Sequence, residues 1–118
     1  LPSGGKHSSY ITKKVVLENE STSIKVLFDA IRSGGNDIKV FAKVKGVGQP
    51  GSFDDMNYIE IPAISYPASE TNNQYREFDY ELKNMEEFEI FSIKVVMIGP
   101  DMSNIIKVKN FRAMALAI

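Results

Sequence analysis

The 118-residue chain has no cysteine and no tryptophan, and its only histidine is His7. Without cysteine it can form no disulfide, no thiolate metal site and no cysteine nucleophile. Its 14 basic and 15 acidic side chains leave a formal net charge of −1. So small a charge provides no general attraction to nucleic acid or to an anionic membrane surface, and we expect neither partner. Membrane insertion is not expected either, because no apolar run approaches the roughly 20 residues of a spanning helix.

The beginning of the chain is mostly small and polar, and we interpret residues 1–9 as a flexible linker or a cloning remnant. His7 lies in this segment, which removes most histidine-based catalysis from consideration. The lack of an initiating methionine and of a charged-then-apolar leader suggests a piece of a longer protein. We expect residues 10–118 to form one domain, because this length is typical of a single domain.

Apolar and polar residues alternate along most of the chain, which is the pattern of half-buried β-strands. The segments that show it are residues 10–17, 22–32, 36–45, 58–61, 75–82, 88–98, 105–109 and 111–117. Residues 88–98 are apolar on both faces, as in a central strand. The turn-forming residues 33–37 predict a hairpin between the two strands that they connect.

No helical segment separates these strands, so the pattern predicts an all-β domain. We expect an antiparallel β-sandwich of about seven to eight strands with jelly-roll or Greek-key connections. The residues expected to face its core are Ile24, Val26, Phe28, Ile38, Val40, Phe78, Tyr80, Phe91, Ile93, Val95 and Phe111.

Chemical motifs are sparse. Asp54 and Asp55, on a glycine-rich loop, and Glu70, on the next polar loop, can supply oxygen ligands to calcium. Their spacing matches no EF-hand loop, and exposed turns often carry carboxylates, so a solvated turn is the simpler explanation. The sequence contains no serine-nucleophile signature, phosphate-binding glycine loop or histidine metal motif. We therefore predict no catalytic residues, no cofactor other than calcium, and no enzymatic activity.

Aromatic residues near the two long loops, residues 46–55 and 68–73, are the candidate binding groups. They are Phe53, Tyr58, Tyr66 and Tyr75. Exposed aromatic rings can stack on sugars or anchor a protein contact, although rings packed at a sheet margin are the alternative. Three lysines that share one face of a predicted strand, Lys39, Lys43 and Lys45, are interpreted as a solvated face.

Several segments of the sequence also resemble a known family of proteins. They are residues 10–17, 23–30, 37–43, 75–80, Phe88 with 91–97, and 109–116. In these segments the chain resembles a module at or near the C-terminal ends of tail and baseplate structural proteins of contractile-tailed bacteriophages. The resemblance covers most of the chain, and it carries no catalytic residues.

The resemblance implies a structural role in the virion. The domain would belong to a tail, baseplate or fibre protein assembled in the host cytoplasm, and its partners would be neighbouring virion subunits in an oligomer. We expect the two long loops to face such a neighbour. The alternative is a carbohydrate-binding module that recognises host surface glycans, because jelly-roll sandwiches also serve that purpose.

Overall fold

The structure, a computed structural model, describes residues 6–32, 34–69, 74–99 and 107–117. Within these ranges the backbone forms nine strands and one 3₁₀ turn at Phe53–Asp55. The strands are β1 (Lys6–Ile11), β2 (Val15–Ser21), β3 (Ser23–Ile31), β4 (Asp37–Gly46), β5 (Tyr58–Ile61), β6 (Ala63–Ser65), β7 (Arg76–Leu82), β8 (Phe88–Gly99) and β9 (Lys107–Leu116). In this part of the chain no helix has the length and hydropathy to cross a membrane.

The strands pack as two antiparallel sheets, which confirms the predicted all-β sandwich. In the first sheet, β1 and β2 pair with successive parts of β8, β4 pairs with its other edge, and β5 lies outside β4. The second sheet has the order β6-β7-β3-β9. The apolar strand β8 has neighbours on both edges and is therefore a central strand. This agrees with the prediction made from its two apolar faces.

The core between the sheets consists of the alternating residues that the sequence pattern placed inside. Ten of the eleven expected core residues are buried, and Phe111 is half-buried at the margin. The ring of Phe28 stacks on those of Phe78 and Tyr80, with centroid distances of 5.5 and 5.7 Å. Full burial of one such side chain contributes about 1.5–3 kcal/mol, so this aromatic group is a large part of what holds the sheets together.

The predicted hairpin between β3 and β4 is wrong, because the two strands belong to different sheets. The chain does turn between them, with Gly35 at φ 82°. Both edges of β3 are occupied by β7 and β9, and both edges of β4 by β8 and β5. Apolar alternation does not distinguish a neighbour in the same sheet from one across the core, since either arrangement buries the same face.

The predicted first strand, residues 10–17, contains a break between two strands. β1 ends at Ile11 and β2 begins at Val15, and both pair with β8. In the break, the Thr12 N–H donates to the Ile93 carbonyl at 2.9 Å, and the Thr12 hydroxyl accepts from the Ile93 N–H at 2.9 Å. Thr12 thus continues the pairing along β8 while the chain changes register.

Part of the segment expected to be a linker is also strand. β1 begins at Lys6, and residues 6–9 pair with the end of β8 near Gly99. Backbone pairing does not require apolar side chains, so a short polar edge strand leaves little signal in the sequence. This boundary therefore differs from the expected one at Tyr10.

Two further differences change the strand count in opposite directions. β6 was not predicted because Pro62 and Pro67 flank it, although prolines are tolerated beside edge strands. The predicted strands 105–109 and 111–117 form a single strand, β9, where the structure describes them; residues 105 and 106 lie outside the described residues. The register of β9 shifts around Asn110, whose φ is 56°, as at a β-bulge.

The two lateral sides of the sandwich differ in how the sheets meet. On the closed side, the chain passes from β5 to β6 through Pro62, whose carbonyl accepts from the Glu81 N–H at 3.1 Å. The opposite side, which we call the open side, is bordered by the edge strands β1, β2 and β9. At one end of the open side, the chain passes from β2 in the first sheet to β3 in the second through Thr22. Elsewhere on the open side, the rings of Tyr10 and Phe111 are in contact, with centroids 6.1 Å apart.

Candidate functional site

Phe53 is not the exposed loop residue that the sequence suggested. It begins the 3₁₀ turn, which lies against β4, and its exposed fraction is only 8%. The Lys43 ammonium lies 5.7 Å from the centre of its ring. The glycine-rich loop therefore folds its aromatic side chain inward, because burial of a phenylalanine ring is favourable wherever a partner surface is available.

Tyr58 lies on the outer face of the first sheet. It pairs with Lys43 across β4 and β5. The ammonium groups of Lys43 and Lys94 lie 4.7 and 4.9 Å from the centre of its ring. Both distances are within the range of cation–π attraction, so the ring already binds two protein cations.

Tyr66 belongs to a polar network on the closed side. Its hydroxyl donates to the Asp37 carboxylate and accepts from the Ile38 N–H at 2.9 Å. Its ring packs edge-on against Phe78 with 5.3 Å between centroids, and the Arg32 guanidinium carbon lies 4.5 Å from the ring centre. Burial, followed by the hydrogen bond to Asp37, raises the pKa of the Tyr66 hydroxyl above its ordinary value.

Arg32 and Tyr80 extend this network across the sandwich. The Arg32 guanidinium donates to the Asn36 carbonyl at 2.9 Å and to the Pro67 carbonyl at 2.8 Å. The Tyr80 hydroxyl donates to the Ile38 carbonyl at 3.1 Å, and burial raises the pKa of Tyr80. Because Tyr80 lies in the second sheet and Ile38 in the first, this bond joins the two sheets directly.

Tyr75 lies apart from the other candidate rings. It precedes β7, and the ammonium of Lys109 on β9 lies 4.0 Å from the centre of its ring. The structure therefore separates the predicted aromatic residues: Tyr58 contacts the outer face of the first sheet, Tyr66 the closed side and Tyr75 the second sheet. They form no shared platform for a sugar.

Two of the three calcium candidates lie in the part of the chain that the structure describes. Asp54 and Asp55 are exposed in the 3₁₀ turn, where Asp55 accepts from the Ser52 hydroxyl at 3.0 Å; Glu70 lies outside the described residues. Asp55 also lines an open cleft of about 570 Å³ with Glu86 and Glu87. Among the described residues, no group of three or more histidine, aspartate or glutamate side chains is placed to hold a metal.

The open side contains an apolar groove of about 380 Å³ between the two sheets. Its lining includes Tyr10 from β1, Val95 and Met97 from β8, and Val108 and Phe111 from β9. Lys109 and Asn110 also line the groove, but most of its surface is apolar, so it has little to offer a polar ligand. It provides an apolar surface in which a side chain of another molecule can be buried.

The strands that border this groove have free backbone edges. In the described part of the chain, β1 pairs only with β8, and β9 pairs only with β3. Apolar side chains are also exposed beside the β1 and β2 edges: Tyr10 is 56% exposed, Ile11 53% and Val16 66%. Unpaired edges with apolar side chains are the surfaces to which other chains add strands.

Sequence reasoning missed the open side because the lining comes from three strands that are distant in the chain. In addition, most of β1 falls within residues 1–9, which the sequence analysis interprets as a linker and not as a strand. The signal that remained was the apolar character of Tyr10, Ile11, Val15 and Val16 on both faces of a short segment. In a strand with one buried face, such residues indicate that the other face is covered by something else.

A scan of the chain against protein-family models, and searches of curated proteins and of solved structures, found no match.

Proposed function

We propose that this domain is a non-enzymatic structural module that joins subunits of a bacteriophage tail, baseplate or fibre, and that the open side is its protein contact. The observation that carries the proposal is the apolar groove bordered by free strand edges. The setting in a virion rests on the resemblance of the sequence segments to phage tail and baseplate modules.

The contrast between the two sides supports a protein contact. The edge strands of the closed side are short, with four residues in β5 and three in β6, and a proline separates them. Short strands and prolines are common means of preventing unwanted edge pairing. β1 and β9 have six and ten residues, and two exposed apolar side chains, Tyr10 and Ile11, lie at the end of β1. A side left open in this way is suited to a partner that covers it.

Recognition of a host glycan has less support. A sugar-binding site needs aromatic rings and convergent polar groups on one surface. Tyr58, Tyr66 and Tyr75 lie on different surfaces, each with a cation against its ring, and Phe53 is buried. Glycan recognition is therefore the second candidate function.

The test places charges on the open side of the protein in its encoding phage. We expect Ile11→Lys with Val16→Lys to leave the fold intact, because both side chains are exposed, and to lower incorporation into particles by about tenfold or more. The matched control is Val47→Lys with Ile64→Lys, which changes two other exposed apolar residues by the same charge. Thermal unfolding checks the fold, and sedimentation with immunodetection measures incorporation.

Three results would contradict the proposal. Equal losses in the edge and control variants would show that added charge, rather than the open side, impairs assembly. Normal incorporation with lost adsorption to host cells would favour the glycan function. Genes beside the parent gene that encode no sheath, tube or baseplate component would contradict the virion setting.

A further inference from the structure

Strand β1 is attached to the sandwich mainly through its backbone. Its six residues pair with β8, from Lys6 opposite Gly99 to Ile11 opposite Lys94. The side chains of residues 8–11 are all exposed, and none of them belongs to the core between the sheets. A strand with few buried apolar contacts opens locally more easily than the rest of a fold. β1 can therefore leave β8 without unpacking the core.

The other strands that border the open side are attached more firmly. From β9, the side chains of Val108, Phe111, Ala113 and Ala115 pack against the core, and from β2 that of Leu17 does so. Detachment of either strand would expose these apolar groups to water, which is unfavourable. β1 is thus the strand of the open side that can be released with the least loss of burial.

A short irregular segment, residues 12–14, connects β1 to β2. These three residues lie between the last pair of β1 and the first pair of β2, opposite only residues 92 and 93 of β8. The extra residue interrupts the strand, as at a β-bulge. Lys13 and Lys14 are exposed, and neither has an ion-pair partner among the described residues. The segment therefore provides a hinge between β1 and the rest of the sandwich.

The length of the hinge restricts where a released β1 can pair. Three extended residues span about 10 Å, so β1 reaches only a molecule that faces the open side. The β8 edge of a second copy of this chain offers the same pairing partners, residue by residue, as the β8 edge that β1 occupies in its own chain. A second copy is therefore the partner that the register of β1 fits.

We propose that two copies of this chain exchange β1, so that β1 of each copy pairs with β8 of the other. The exchanged pairs are the ones that a single chain already makes, so no new complementary surface is required. The inference rests on the open side as the contact proposed above, and it names the partner as a second copy. Exchange also transfers Tyr10, whose ring then contacts Phe111 of the other copy and completes its groove.

Addition of a partner strand to the free edge of β1 is the alternative. In that arrangement β1 stays in place, and residue 9 remains beside residue 96 of its own chain. Exchange instead places residue 9 beside residue 96 of another chain. The two arrangements therefore differ in which chains contribute the paired residues, and a cross-link between these two positions distinguishes them.

The test uses the absence of cysteine from the chain, because an introduced thiol is then the only one. Ser9 and Val96 are paired, so the Ser9→Cys chain is mixed with the Val96→Cys chain and mildly oxidised. In the matched control, Lys39→Cys replaces Ser9→Cys, because Lys39 pairs with Val96 from the other edge of β8. The Ser9→Cys mixture should give at least about fivefold more linked heterodimer, because a disulfide needs β-carbons about 4 Å apart. Non-reducing electrophoresis with a mass tag on one chain measures the product.

Two further measurements support the test. The next pair, Ser8→Cys with Met97→Cys, should give the same result if one of the first variants does not fold, which circular dichroism checks. When Ser9→Cys and Val96→Cys are combined in one chain and oxidised in dilute solution, the disulfide holds β1 in its own chain. The dimer fraction in analytical ultracentrifugation should then fall to background and return after reduction.

Equal amounts of linked heterodimer in the Ser9→Cys and Lys39→Cys mixtures would overturn the exchange. An unchanged dimer fraction in the oxidised double variant would do the same, and would favour strand addition at the free edge. These experiments need no virion. Their failure is therefore distinct from normal incorporation of Ile11→Lys with Val16→Lys, which would contradict the open side as the contact in assembly.

Discussion

The closed and open sides of the sandwich hold the two sheets together by different means. On the closed side, Tyr80 bonds across the core to Ile38, Arg32 reaches the Pro67 carbonyl, and Tyr66 packs against Phe78. On the open side, the groove between the sheets is apolar, and aromatic contact across it is made by Tyr10 and Phe111. Polar bonds that need exact geometry are thus concentrated on one side of the molecule.

The difference gives the two sides separate roles, one in the stability of the fold and the other in offering a surface to a partner. Buried polar groups must be satisfied, so the closed-side network tolerates little change in geometry. An apolar groove has no such requirement, and a partner can cover it without displacing internal hydrogen bonds. We infer that the closed side stabilises the fold and that the open side is where the molecule can accept a partner.

The largest expected effect comes from the aromatic core next to the closed side. Phe78 is 1% exposed and packs against Phe28 and Tyr66. Phe78→Ala should lower the free energy of unfolding by about 3–5 kcal/mol, because it leaves a cavity among rings that cannot collapse into it. Urea unfolding followed by circular dichroism measures the change.

The matched substitution on the open side is Phe111→Ala. Because Phe111 is half-buried beside the groove, its loss should cost only about 1–3 kcal/mol. Equal losses for Phe78→Ala and Phe111→Ala would contradict the comparison between the two sides.

The sequence was sufficient to predict most of the strands and most of the core, but not how the strands pair. Alternation identifies inward residues such as Ile24 and Val95 because one buried face repeats every second residue. It contains no information about the neighbour in the sheet, so β3 and β4 were paired incorrectly. The polar strand around Lys6 and Ser8 was missed because its position depends on backbone bonds to β8.

The candidate site could be predicted even less, since it depends on which strands form the edges. The aromatic candidates lie near long loops in the sequence, and the topology distributes Tyr58, Tyr66 and Tyr75 over separate surfaces. The lysine alternation of β4 was visible in the sequence. That Lys94 joins Lys43 on the same face follows only from the pairing of β4 with β8.

The next expected effect concerns the closed-side hydroxyl of Tyr80. Tyr80→Phe should lower stability by about 1–2 kcal/mol near neutral pH, because the buried Ile38 carbonyl loses its donor.

The raised pKa values of Tyr66 and Tyr80 also make the stability of the fold depend on pH in the alkaline range. Above the ordinary tyrosine pKa of about 10, the unfolded chain loses protons that the folded chain keeps, so stability should fall as pH rises.

Urea unfolding at increasing pH tests this dependence. The fall in stability above about pH 10 should be shallower in Tyr80→Phe than in the unmodified chain, since one of the two tyrosines no longer contributes. The same slope in both chains would mean that Tyr80 does not contribute to the alkaline loss.

The smallest effect on stability is expected from Tyr10→Ser on the open side. Tyr10 is 56% exposed and makes an edge-to-face contact with Phe111, so its loss should cost only about 0.5–1 kcal/mol. Its effect on assembly should be larger, because the tyrosine ring forms part of the groove wall that a neighbouring subunit would cover. Tyr80→Phe should show the opposite combination, with a clear loss of stability and normal incorporation into particles. If Tyr10→Ser assembles normally while Tyr80→Phe does not, stability and partner binding are not divided between the two sides in this way.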